Sequence, residues 1–355
     1  MKRYEEVESD QSEVESQKTN TQLSGVSSRP PMSLSTLNQK LSTGLAGAKR
    51  WLMLGIFLAF LASYFSGVIN NYDRGIWIDC GINIILAVSL NLILGHTGQF
   101  SLGHAGFMSV GGYTAASITL LYGAGTSIAM QPVLFVGAIL AGGLLAALAG
   151  LMVGVPSLRL KGDYLAIVTL GFAEIIRVIM QNTDAVGGAS GLSGIPKYTT
   201  LGWTFALAFI TIYVVTTLVN STYGRGFLAV SDDEVAASSM GINPVRYKVS
   251  AFVIGAFFAG IAGALYAHHK QTIVPTGFDW LKSIDIVVMV ILGGMGRTPG
   301  VILAAIILTW LPEQLRAFAD YRMIIYALII IFLMILRPQG LFTLPLKKKG
   351  TKISA

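Results

Sequence analysis

Long apolar runs, separated by short polar or glycine-rich connections, fill residues 51–342. A hydrocarbon core is crossed by about 20 apolar residues in a helix. Runs of that order lie at 51–69, 76–94, 101–121, 132–155, 164–180, 201–219 and 249–268. Three shorter ones follow at 284–292, 301–315 and 323–336, and these fit tilted, broken or partly re-entrant helices. The pattern predicts an all-α membrane protein of about ten transmembrane helices, eight at the fewest. Ten crossings put both ends of the chain on the same side.

One polar connection departs from this rhythm. Residues 220–248 read NSTYGRGFLAVSDDEVAASSMGINPVRYK, much longer than the usual link of about two to eight residues between packed helices. Ser231 and Asp232 stand ahead of an alanine-rich stretch, as helix-capping residues do. Gly241, Asn243 and Pro244 then stop it. The expected element is a short helix at the membrane surface. Ala236 and Ala237 are small enough for close approach to a partner, and Gly241 permits the turn after them. Asp232, Asp233 and Glu234 lie near the helix N-terminus, where negative charge is favoured, or else pair with basic groups of a partner. A patterned helix held out of the membrane reads as a docking element, and a solvated connector would be shorter.

The basic residues orient the chain. With both termini inside, and leaving aside the distal N-terminal tail and Arg177 within a span, thirteen Lys and Arg fall in the inner segments (among them Arg159, Lys161, Arg225, Arg246, Lys248 and Arg297) against six outside. That bias has the sign of the positive-inside rule and places 220–248 in the cytoplasm. Composition agrees with a membrane protein. The 355 residues are 53% hydrophobic and 12% charged, with a mean hydropathy of +0.66, whereas soluble domains average about 25% charged. The net charge of +7 is scattered over loops and the C-terminal tail, without the basic stripe and interleaved aromatics of a nucleic-acid surface. Cys80 is the one cysteine, so no internal disulfide forms and no cysteine metal site exists. Residues 1–50 are polar and hold no apolar core, so a disordered cytoplasmic tail is expected there rather than a cleavable signal. Residues 343–355 form a basic tail whose Lys347, Lys348 and Lys349 would meet anionic lipid headgroups.

Two breaks between spans are rich in glycine. Residues 91–113 carry Gly95, Gly98, Gly103, Gly106, Gly111 and Gly112, and residues 291–300 read ILGGMGRTPG. Both place an Ile-Leu-Gly, at residues 93–95 and 291–293, at the end of an apolar run, which suggests an internal repeat and discontinuous helices near a pathway.

These segments carry a family resemblance. GHTGQFSLGHAGF within residues 90–113, RLKGDYLAIVTLGFAE at 159–174, GGASGLSGIP at 187–196, GRGFLAVSDDEVAASSMGI at 224–242, ILGGMGRTPG at 291–300 and RPQGLF at 337–342 resemble, in order, the permease subunits of branched-chain amino acid ABC transporters. The chain looks like the longer of the two permease types. The resemblance implies a transmembrane permease domain over residues 51–342 with the ABC importer fold and a cytoplasmic coupling helix. It also implies a bacterial inner-membrane location, a second homologous permease, two ATP-binding cassette ATPase subunits and a periplasmic amino-acid-binding protein. Permeases of ABC importers often carry Glu-Ala-Ala, three residues and Gly in this loop. Ala236, Ala237 and Gly241 fit that spacing, while the glutamate stands one place early at Glu234, with Val235 in its slot. Asp233, Glu234, Ala236, Ala237 and Gly241 are therefore the expected ATPase-coupling residues.

Other candidates have two readings each. Glu174 and Arg177 share a helix face at i, i+3, inside a span where a lone charge costs about 2.5–3.5 kcal/mol on insertion scales. They form either a mutual structural pair or a polar lining for a zwitterionic solute. Gln99 and Ser101 either line the pathway or hydrogen-bond backbone freed by the break. Asp79 and Asp285 are expected in interfacial water. Residues 187–196 read as an outer gate, a contact for the binding protein, or a structural turn. His96, His104, His268 and His269 have no metal-ligand spacing, and no phosphate loop, nucleophile elbow or kinase signature occurs. No catalytic residue, metal or cofactor is expected, and ATP hydrolysis belongs to partner subunits. Uptake of urea or short-chain amides is the alternative within the same class. An ion-coupled secondary transporter is the alternative outside it, disfavoured by the scarcity of intramembrane acids.

Overall fold

The computed structural model describes residues 70–336 apart from 124–126, 128–129, 158–162 and 319–320, together with Gly55. The expected span at 51–69, Gly55 aside, and both tails lie outside the described residues. Helices follow one another as α1 (Asn71–Leu94), α2 (His104–Gly123), α3 (Gln131–Ser157), α4 (Asp163–Gln181), α5 (Leu201–Asn220), α6 (Thr222–Asp232), α7 (Glu234–Ser239), α8 (Pro244–Lys270), α9 (Trp280–Gly293), α10 (Thr298–Gln314) and α11 (Arg322–Leu336). Among the described residues α1, α3, α4, α5 and α8 are long and apolar enough to cross a membrane. The expected run 101–121 does fold as a 20-residue helix, α2. Its glycines, Ser109, Thr114, Ser117 and Thr119 keep it out of that group.

Burial divides the helices into a centre and a rim. Nearly every side chain of α1 from Cys80 to Leu94 is buried on all sides. A helix surrounded this way needs no amphipathic stripe, and its sequence has none. α8 is also largely buried. α3 and α4 instead turn large apolar side chains outward, including Leu144, Leu148 and Met152 on α3 and Ile167, Ile175 and Ile179 on α4. Such faces suit lipid or another apolar protein surface.

Glycine sets the separation between helices at the centre. α2, α3 and α8 cross at Gly111, Gly142 and Gly260. A Cβ on Gly142 would lie 2.6 Å from the Gly111 carbonyl oxygen, and one on Gly260 would lie 2.8 Å from the Gly142 carbonyl oxygen. With no side chains between them the backbones touch, and the dispersion gained replaces the hydrophobic drive that a bilayer does not supply.

At one end of the bundle the segment 187–196 is fastened to the exit of α8. Strand β1 (Leu192–Ser193) pairs antiparallel with β2 (Thr272–Ile273), Leu192 opposite Ile273. The Ile195 N–H donates to the Gln271 carbonyl at 3.1 Å. Gly191, at φ +77°, lies so close to Ile273 and Val274 that no side chain fits. The expected turn is thus a two-stranded clip. Asp79, expected in interfacial water, is partly exposed and pairs with Lys270 Nζ at 2.9 Å near the same end.

Candidate functional site

The 220–248 loop lies at the other end and contains two helices where one was expected. Ser221 starts α6 by accepting from the Gly224 N–H at 3.2 Å. α6 then continues through Ser231 and Asp232, the residues expected to cap the alanine-rich stretch. The cap is Asp233. Its backbone is extended, and its Oδ1 accepts from Val235 N–H at 2.8 Å and Ala236 N–H at 3.0 Å. These backbone donors, first Ala236 and then Val235, hold the Asp233 carboxyl below its ordinary pKa, since they bond the charged form. Any of the three residues 231–233 has capping chemistry, and the amphipathic run of α6, with Phe227 and Val230 buried, decides which one ends a helix and which begins the next.

α7 ends as tightly as it begins. Gly241, at φ +82°, donates to the Ser238 carbonyl at 3.0 Å, and Ile242 donates to the Ala237 carbonyl at 3.0 Å. That pair of bonds is a Schellman closure, which requires the left-handed residue that glycine supplies. Asn243 then caps α8, its Oδ1 accepting from Arg246 N–H at 3.2 Å, with Pro244 in the first turn.

The face that α7 turns outward differs from the expected one. Ala236 is exposed, but Ala237 is buried against its own chain. The outermost apolar side chains are Val235, 69% exposed, and Met240, 83% exposed. Glu234 engages its own chain. Its Oε1 meets Lys248 Nζ at 2.7 Å, and that lysine side chain is only 10% exposed. The displaced glutamate therefore tethers α7 to the start of α8. Sequence reasoning counted Lys248 only as an orienting charge. A lysine at the threshold of an apolar run, near three acids, was the available signal.

The first glycine break runs beneath this loop. A cavity of about 230 Å³ is lined by Thr97, Gly98, Gln99 and Phe100 on one side and by Val230 to Glu234 on the other, with Leu165 and Lys248. Gln99 Nε2 donates to Thr97 Oγ1 at 2.9 Å and to the Lys248 carbonyl at 3.4 Å. Ser101 is fully buried, and its Oγ accepts from Gly103 N–H at 3.4 Å. Ser101 thus bonds backbone at the break, whereas Gln99 ties the break to the α8 backbone at Lys248 and faces the cavity. The second break meets the first: Asn91 Oδ1 accepts from Gly296 N–H at 2.9 Å, and Gly95 packs against Gly296 with no room for a Cβ.

Glu174 and Arg177 stand apart from this site. Arg177 Nε donates to Glu174 Oε2 at 2.7 Å on α4, and both side chains are about a quarter exposed. No hydrogen bond or ion pair joins them to Gln99 or Ser101 among the described residues. Two of the histidines bond neighbouring helices: His104 Nε2 lies 2.9 Å from Ser89 Oγ, and His268 Nε2 lies 2.9 Å from Thr119 Oγ1. No group of His, Cys, Asp and Glu among the described residues is placed to hold a metal ion.

Comparison with known proteins agrees with this architecture. Residues 75–336 match the family described as "Branched-chain amino acid transport system / permease component". The chain is 37% identical over 278 residues to the high-affinity branched-chain amino acid transport system permease protein LivM of Escherichia coli, covering 68% of this chain and 63% of that protein. Similarity to the probable LivM permease of Methanocaldococcus jannaschii is 27% over 266 residues, covering 64% and 76%. Similarity to E. coli LivH is 27% over 142 residues, covering 39% and 46%. The chain thus spans 63% of the length of its enterobacterial LivM relatives. No solved structure matches it.

Proposed function

This chain belongs to the branched-chain amino acid transport permease family, and on that footing we propose that it is the transmembrane permease of an ATP-driven importer for branched-chain or other neutral amino acids. It lies in the bacterial inner membrane with both termini in the cytoplasm. It forms the translocation pathway with a second homologous permease, couples to two ATPase subunits and receives solute from a periplasmic binding protein. α7 is the coupling helix, and Val235, Ala236 and Met240 are the side chains that enter the ATPase surface. Asp233 and Gly241 fix the two ends of α7, Glu234 anchors it, and Ala237 packs it from behind.

The observation that supports this reading most is a one-and-a-half-turn helix closed by hydrogen bonds at both ends, with large apolar side chains facing away from the body. Apolar side chains that project into water at the tip of a polar loop fit a protein partner. ATP-driven closure of the partner subunits would move α7. The spans would then alternate between outward and inward openings around a site near the midplane. The Glu174–Arg177 pair lies on a helix only lightly buried in its own chain. An ion pair there requires cover from protein or water rather than lipid, so we assign that face of α4 to the pathway between the two permeases.

The test is uptake of labelled leucine, alanine and urea by cells lacking this gene, with and without its restoration. Loss of leucine or alanine uptake, restored by the wild-type chain together with co-purifying ATPase subunits, supports the assignment. Loss of urea uptake alone changes the substrate and keeps the mechanism. Leucine uptake that persists without the ATPase subunits refutes it.

A further inference from the structure

We propose that Lys248 is a positioning residue that carries movement of α7 into the glycine break after α1; the proposal rests on the importer reading above. α7 is set off by a turn of the chain on each side, the extended Asp233 before it and the left-handed Gly241 after it. A short helix bounded in this way passes motion onward through what grips it along its length. The charged grip is Glu234 Oε1 on Lys248 Nζ at 2.7 Å. Lys248 is buried while Glu234 is partly exposed, so solvent screens this pair less than one between two exposed side chains.

From Lys248 the connection goes into the break. Its carbonyl accepts from Gln99 Nε2, which also bonds Thr97 Oγ1, and Thr97 Oγ1 donates to the Ile93 carbonyl in the last turn of α1 at 2.7 Å. Glu234, Lys248, Gln99 and Thr97 thus form a connected path from α7 to α1, polar at each junction and carried through Lys248 by its own side-chain stem and backbone. Beyond it, Asn91 bonds Gly296 in the second break. The cavity separates residues 97–100 from residues 230–234 along this boundary, and Lys248 stands in its wall as a strut between them. Gln99 Oε1 is buried with no partner among the described residues.

The relay is tested in proteoliposomes holding the complete transporter, with labelled leucine uptake measured per ATP hydrolysed. Lys248→Met and Glu234→Gln each retain the ATPase subunits and ATP hydrolysis, while uptake per ATP falls about tenfold, within the range of site-to-site coupling. The exchanged pair Glu234→Lys with Lys248→Glu recovers most of the ratio. An unchanged ratio in Lys248→Met overturns the proposal. Failure of the single variants to assemble, with assembly and ratio both rescued by the exchange, overturns it too, because the pair is then only a structural clamp. If the wild-type chain itself recruits no ATPase subunit, it is the importer reading that fails.

Discussion

Asn91 and Gly296 are joined by a 2.9 Å hydrogen bond across 205 positions of sequence, and they bring together the two places where an apolar helix ends in glycine. Beside them, a Cβ on Gly95 would overlap the Gly296 nitrogen and the Asn91 side chain. Backbone atoms cannot rotate out of the way, so Gly95→Ala is expected to destabilise by at least the 1–3 kcal/mol or so typical of overpacking. Gly137→Ala and Gly171→Ala, where an added Cβ meets nothing within 4 Å, are expected to stay within about 1 kcal/mol of wild type. Thermal unfolding of the detergent-purified protein, followed by fluorescence-detected size exclusion, measures both.

The outward face of α7 predicts which substitutions separate the permease from its ATPase. Met240→Lys and Val235→Asp put charge on side chains that touch little of their own chain. Both should leave the unfolding temperature unchanged and reduce ATPase co-purification about tenfold or more, as loss of an apolar anchor does. Ala237→Arg should lower the unfolding temperature instead, because Ala237 is buried.

Asp233 predicts a lack of pH dependence. Its carboxyl pKa is lowered by the two backbone N–H donors. Its stabilising effect is therefore complete above the unfolded value of about 3.9 and is lost only as pH falls through the lower folded value. Between pH 5 and 8, ATPase retention should show no step from this group. Asp233→Asn, which caps comparably, should retain the ATPase, and Asp233→Ala should not. Pull-down across that pH range checks each point.

The Glu174–Arg177 pair predicts a non-additive result. Arg177→Met strands a carboxylate within a span, and Glu174→Leu strands a guanidinium. Each single change should lower the yield of folded protein more than the double change does, as found when half of a shielded ion pair is removed. If the pair faces the pathway, the double variant regains yield without regaining leucine uptake.

Periodicity of side chains was the legible part of this chain. Apolar runs marked the helices, and residues 220–248 stood out by length alone. Pairing across long separations was not legible. Ser231, Asp232 and Asp233 have equal capping chemistry, and only the packing of Phe227 and Val230 decides among them. The inward turn of Ala237 follows from where the Asp233 cap sets the phase of α7. The tie between Glu234 and Lys248 spans fourteen positions and crosses a helix boundary, so no local pattern shows it. The break at Gly95 was visible as a cluster of glycines, but its contact with Gly296 needs the three-dimensional path of α9 and α10.

The burial of α1 has a consequence for synthesis. α1 leaves the ribosome well before α9 and α10, carrying Asn83, Ser89 and Asn91 in its middle and last turns. Their partners arrive at different times. His104 follows within one helix, but Gly296 and Thr309, to which Asn91 and Asn83 bond, are more than two hundred residues away. Until α9 and α10 are inserted, two amides of the innermost helix must wait in lipid or among temporary neighbours, where an unpaired polar group is costly. The nascent chain is thus incomplete at its centre while its rim is already being built, and a chain cut short before residue 296 exposes that deficit to whatever machinery inspects unassembled helices.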